Sequence, residues 1–150
     1  MKLKIPPVIV LIVFGALMYL LSIFLPVGYF EFFGRSYLMY ALLVGAITIG
    51  LISLVQFFKS KTTVDPTVPE KATSLVTSGV YKISRNPMYL GMLLILLAWG
   101  LWLGNAFNVL LAAGFVLYMN KFQIVPEEEV LSKMFGVAYK QYCVLTRRWF

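Results

Sequence analysis

Four charge-free apolar stretches divide the chain. Val8–Leu25 and Ser36–Phe58 run for 18 and 23 residues without a charged side chain. At about 1.5 Å per residue, each is long enough to cross a hydrocarbon layer about 30 Å thick as an α-helix. Met88–Gly104 and Ala106–Met119 are shorter, at 17 and 14 residues, and only Asn105 separates them. They predict a tight helical hairpin, and both a full crossing and a re-entrant dip fit their length. Lys2 and Lys4 before the first stretch resemble a secretory signal. However, the run is long for an h-region and Leu25-Pro26-Val27-Gly28-Tyr29 lacks a small-x-small cleavage site, so a retained first helix is expected. In the second stretch, Ala41/Gly45 and Ala46/Gly50 recur at four-residue spacing, which allows another helix, in this chain or in a second copy, to approach closely.

Between the second and third stretches, Lys59–Arg85 is polar and Thr-rich, with Asp65-Pro66 and Val68-Pro69 favouring extended backbone. Leu75, Val76, Val80, Tyr81 and Ile83 predict a segment lying on the membrane surface and packed against the helices. Its end leads into the third helix, where Asn86 is a good N-cap and Pro87 suits the first helical position. The same helix start presents unpaired N–H groups suited to a carboxylate or phosphate. After the fourth stretch, Val130–Phe150 carries Leu131, Phe135, Tyr139 and Tyr142 at helical spacing, predicting an amphipathic cytoplasmic helix. Glu127, Glu128 and Glu129 occupy its first turn. They suit the positive end of a helix dipole, and they are equally candidates to bind a cationic group.

Composition turns this pattern into a class. The 150 residues are 61% hydrophobic and 13% charged, against roughly 45–50% and about 25% for an average soluble domain. A core of this size cannot hide that excess, so lipid must solvate it. With the N-terminus cytoplasmic and all four stretches crossing, twelve of the thirteen basic residues fall inside and only Arg35 outside. That is the positive-inside pattern and places both termini in the cytoplasm. The net charge of +7 is read as topology and attraction to anionic lipid headgroups rather than nucleic-acid binding. One Cys, Cys143, and no His exclude an intrachain disulfide, His-based triads and the usual zinc sites. No metal site is expected. Glycine loops of the G-x-G-x-x-G or Walker type are absent from the sequence.

Two segments together carry a resemblance. Gly79-Val80-Tyr81-x-x-Ser84-Arg85-Asn86-Pro87-Met88-Tyr89-Leu90-Gly91 is followed by Glu127-Glu128-x-x-Leu131-x-x-x-Phe135-Gly136-x-x-Tyr139-x-x-Tyr142. In that order, flanking a helical hairpin, they resemble the membrane methyltransferases that include isoprenylcysteine carboxyl methyltransferases and phospholipid N-methyltransferases. Thr62-Thr63-Val64-Asp65-Pro66 and Pro69-Glu70-Lys71-Ala72 add to the likeness to prokaryotic members, which extends over about residues 60–149. The resemblance implies an all-α membrane enzyme of one domain, residues 1–150, in a prokaryotic inner membrane. Residues 1–58 would anchor it and residues 59–150 would bind cofactor and catalyse.

The implied methyl donor is S-adenosylmethionine, leaving S-adenosylhomocysteine as product. Glu127 and Glu128 would help bind it, with Tyr81, Arg85, Asn86, Pro87, Tyr89 and Gly91 shaping the pocket. Many members have histidine where this chain has Asn86, so no mechanism here can use an imidazole at that position. A carboxylate acceptor, already ionised near neutral pH, needs no base, whereas an amine must first lose a proton. O-methylation of a lipophilic, isoprenylcysteine-like carboxylate is therefore expected ahead of phospholipid N-methylation. Arg147 or Arg148 would orient that carboxylate, or serve simply as interfacial anchors. Two other classes compete: an NADPH-dependent sterol-reductase-like enzyme, with a similar Gly-x-x-Tyr pattern, and a non-enzymatic membrane scaffold. The small residues of the second helix leave a homodimer open.

Overall fold

The computed structural model describes residues 5–59 and 74–150. The predicted helices-and-loops character holds: the fold is all-α. Helix α1 spans Pro7–Phe24, α2 Arg35–Lys59 and α3 Pro87–Leu103. Helix α4, Asn108–Met119, passes through a π-turn at Asn120–Ile124 into α5, Val125–Leu145. The motif Thr62–Ala72 lies outside the described residues.

Among the described residues, three helical runs are long and apolar enough to cross a membrane: α1, α2 and the continuous Asn108–Leu145, while α3 is apolar but shorter. These define a multi-pass membrane protein. The fourth apolar stretch thus differs from expectation, because it does not stop at Met119. No side chain or glycine interrupts the ladder there, and the last turn widens from α to π instead of ending. Helix α5 correspondingly begins at Val125, two residues ahead of the expected Glu127, and Pro126, inside the continuous run, has no N–H to give to the carbonyls of the π-turn.

Glycines shape two of the junctions. Gly104 ends α3 in the left-handed region, φ 66°, and its N–H reaches the carbonyls of Gly100 and Leu101. Gly136 breaks α5 at φ 51°, ψ −118°, a conformation closed to residues with a Cβ. The helix is therefore kinked between Phe135 and Tyr139.

Helix α2 packs most extensively on α3. Gly91 is buried with the Ala46 carbonyl 3.3 Å from where its Cβ would stand, and Gly50 N is 3.9 Å away. The Ala46/Gly50 half of the small-residue stripe is therefore occupied within the chain. What looked open to a second copy is largely used to bring α3 close.

Two apolar clusters result. The first joins α1, α3 and α4 through Val10, Met18, Leu96, Phe115 and Met119, and includes Tyr89 and Ile124. The second sets Val76 and Tyr81 against Tyr139 and Tyr142, with Leu75, Val80, Leu131 and Phe135 around them. The apolar positions expected on the last helix thus face the loop segment before α3. Ile83, expected in the same packing, is 66% exposed. At the opposite end, Asn105 Nδ2 donates to the Leu25 carbonyl at 2.7 Å, and Ala106 N–H to the Gly28 carbonyl at 2.8 Å.

Candidate functional site

The residues singled out in sequence meet where α3 and α5 begin. After α5 the chain turns back across the start of α3. There Arg85 N–H donates to the Arg147 carbonyl at 3.0 Å. Arg85 Nη1 reaches the carbonyls of Cys143 and Thr146 at 3.1 and 2.9 Å. The Asn86 side chain does not cap α3. It stands at the N-cap position, but its Nδ2 donates to the Arg148 carbonyl at 3.0 Å, alongside Ser84 Oγ at 3.3 Å. With Nδ2 turned to that carbonyl, Oδ1 accepts from no N–H of the first turn. As a result the N–H groups of Met88 and Tyr89 have no acceptor among the described residues.

The two glutamates have opposite surroundings. Glu128 is neutralised by two arginines: Arg85 Nη2 lies 2.9 Å from Oε1, and Arg148 donates from Nε to Oε1 at 3.1 Å and from Nη2 to Oε2 at 2.6 Å. These are charge-assisted bonds, and the Arg148 contact is bidentate. The Glu128 hydrogen bond is the largest reason the Arg148 guanidinium pKa is raised. Glu127 has only neutral donors among the described residues. The Tyr89 hydroxyl donates to its Oε1 at 2.5 Å and Gln123 Nε2 donates to the same oxygen at 2.6 Å. Gln123 Nε2 also lies 3.3 Å from the Tyr89 hydroxyl. Oε2 of Glu127 accepts nothing among the described residues. Glu127 thus has no cationic partner among the described residues and keeps one open oxygen.

The π-turn sets this geometry. Asn108, Ala112, Phe115 and Met119 form the buried stripe of α4. Continued at 3.6 residues per turn, the stripe would reach Phe122–Gln123 and then Pro126. The wider π-turn absorbs about one extra residue, roughly a quarter-turn, and the stripe arrives instead at Ile124 and Glu127. Glu127 is thereby rotated onto the face that meets Tyr89.

The remaining candidates are placed as follows. Tyr81 is buried in the second cluster, its ring edge-on to Phe57 with centroids 5.3 Å apart. Its carbonyl accepts from the Tyr142 hydroxyl at 2.6 Å, and burial pushes the Tyr81 hydroxyl pKa up. Pro87 is buried at the first position of α3, and Gly91 packs against α2. Arg147 is exposed, and its carbonyl, not its guanidinium, joins the cluster. Beside the Glu128–Arg148 pair lies an open groove of about 730 Å³, with Tyr139 and Cys143 also in its wall. Gln123 went unnoticed in the sequence, where it looks like one more polar residue ending a span.

Uncapped N–H groups and an open carboxylate oxygen, bridged by the one side chain of Tyr89, suit a zwitterion carrying both a carboxylate and an ammonium. That is the chemistry of the amino-acid end of S-adenosylmethionine, so the residues present fit this group. The fold and cluster define a multi-pass α-helical membrane protein with its charged groups gathered at one end of α3. Residues 34–138 match the phospholipid methyltransferase family, and the chain belongs to it. It is therefore an enzyme, an S-adenosylmethionine-dependent methyltransferase acting on a membrane-associated substrate. That assignment sets aside the scaffold and the reductase. The match takes in Glu127, Glu128 and Gly136 but not Arg147 or Arg148. An uncharacterized protein of Haemophilus influenzae is 52% identical over 62 residues, 41% of this chain and 98% of that relative. No solved structure matches the chain.

Proposed function

We propose that the cluster of Tyr89, Gln123 and Glu127 holds the amino-acid end of the methyl donor, and that the acceptor is a lipophilic carboxylate delivered from the bilayer. The observation that carries this is the open Oε2 of Glu127 beside the uncapped start of α3. Glu127 takes the ammonium through a charge-assisted hydrogen bond. The N–H groups of Met88 and Tyr89 take the carboxylate, aided by the helix dipole. Arg85 and Glu128 fix the returning chain. Tyr81, Asn86, Pro87 and Gly91 hold the α3 start in place by packing and hydrogen bonding. When bound, the donor supplies an electrophilic methyl group on a sulfonium.

The protein's part is alignment and exclusion of water, since an ionised carboxylate attacks without a base and Asn86 supplies none. Arg148, held by Glu128, and Arg147, with its guanidinium in solvent, are the cations available to orient the acceptor. In this reading α3 and α4 form the hairpin and α5 lies as an amphipathic helix at the cytoplasmic interface. Residues 59–150 then constitute the catalytic part of a single domain, and the acceptor enters sideways from lipid. The family match favours a second acceptor, a phospholipid amine.

Labelled methyl donor, given to membranes containing the protein and followed by lipid extraction, separates the two. A carboxyl methyl ester releases volatile label on mild base treatment, whereas a methylated amine retains it. Base-stable label on a phospholipid headgroup would replace the carboxylate proposal with the amine.

A further inference from the structure

Glutamate carboxylates turn easily, because the terminal torsion has a broad, two-fold profile. A carboxylate that must present one particular oxygen therefore needs to be clamped. Glu127 is clamped by two donors on Oε1, Tyr89 from α3 and Gln123 from the π-turn, at 2.5 and 2.6 Å. Gln123 is 3% exposed, so its amide is committed to the protein interior. The chemistry of the two donors matters as much as their placement. A lysine or arginine there would cancel the carboxylate's charge, as Arg85 and Arg148 do for Glu128. A phenol and an amide fix the group without adding a counter-charge.

We propose that Gln123 is a positioning residue for ligand binding: it pins Oε1 of Glu127 so that Oε2 is left to face the ligand's ammonium. This rests on the reading that Glu127 binds the donor's ammonium. The π-turn is part of the same device, since it places Gln123 and Glu127 on one face together with Tyr89. Selectivity follows from it. An uncompensated carboxylate in a half-buried place favours a cationic group over a neutral donor, so the site discriminates against ligands lacking the amino group.

The test uses the full chain in detergent or nanodiscs, with S-adenosylhomocysteine as ligand and calorimetry as readout, for Gln123→Met, Glu127→Gln and the double variant. Gln123→Met keeps length and removes the donor. It should weaken binding by about tenfold or more, the worth of a hydrogen bond to a charged group. Unfolding of the ligand-free protein should remain near wild type, and in turnover KM for the donor should rise more than kcat falls. The double variant should bind no more weakly than Glu127→Gln, because Gln123 acts through Glu127. Gln123→Asn, which keeps an amide but draws it back, should fall in the same direction and serves if the methionine variant does not fold. Wild type that binds no ligand overturns the cofactor site itself. Wild type that binds, with Gln123→Met binding equally well, overturns the positioning role alone. Additive losses in the double variant do the same, as does a binding loss matched by lost ligand-free stability.

Discussion

Substitution of each neighbouring glutamate by glutamine should produce opposite results. In Glu128→Gln the charge shared by Arg85 and Arg148 disappears. The side chains of Arg85, Glu128 and Arg148 are 12%, 18% and 36% exposed, so solvent screens part of the interaction. Arg85 keeps its bonds to the Cys143 and Thr146 carbonyls, and the loss falls mainly on Arg148. Two weakened charge-assisted bonds, discounted for exposure, amount to about 2 kcal/mol. Bonds from Ser84, Arg85 and Asn86, and Trp149 Nε1 on Asn120 Oδ1 at 3.0 Å, also hold the returning segment, so losing the Glu128 charge loosens it without releasing it. Trypsin should then cut after Arg148 faster in Glu128→Gln than in wild type, and the thermal midpoint in detergent should fall. Glu127→Gln removes no cation's partner. It should leave proteolysis and midpoint nearly unchanged while binding of S-adenosylhomocysteine falls at least tenfold, about 1.4 kcal/mol. Equal proteolysis rates in wild type and Glu128→Gln, or a larger loss of stability in Glu127→Gln, would refute the division of labour.

Three further outcomes follow from the backbone. Gly136→Ala should destabilise the protein by about 1–3 kcal/mol through strain alone, because nothing lies within 4 Å of the added Cβ; chemical denaturation would show a lower midpoint. Gly91→Val should reduce folded yield, read by size-exclusion chromatography in detergent, since even the first carbon meets the Ala46 carbonyl at 3.3 Å. Deleting Phe122 removes the residue the wider turn absorbs, so the π-turn should become α with Glu127 still on the face that meets Tyr89. Ligand binding should persist and the far-ultraviolet circular dichroism should keep its helical shape.

Local chemistry explains what the sequence made readable. The spans of α1 and α2 follow from uninterrupted apolar runs, and the α3 start follows from Asn86-Pro87. The gathering of Arg85, Tyr89, Glu127 and Glu128 was expected from the resemblance. Leu131, Phe135, Tyr139 and Tyr142 were correctly read as one packed set. The misses all depend on partners distant in sequence. Asn86 has capping chemistry, but the Arg148 carbonyl claims its amide. Ala46/Gly50 reads as a close-packing stripe, but only Gly91 set against it shows which helix it receives. Asn120-Lys121-Phe122-Gln123 reads as the polar end of a span, because a π-turn has no composition that distinguishes it from an α-turn. The rotation of Glu127 follows from that turn, so it was equally hidden.

The shortness of α3 bears on the lipid around the site. Its 17 residues span about 26 Å, whereas the 25 residues of α2 reach about 37 Å. A helix shorter than a hydrocarbon layer of about 30 Å creates hydrophobic mismatch, which a bilayer relieves by thinning beside it. Headgroups would then be drawn inward towards Tyr89 and Glu127, shortening the path of an acceptor to the site. Acyl-chain length thereby becomes a control on catalysis: vesicles of longer-chain lipid should slow turnover even when every residue of the enzyme is unchanged.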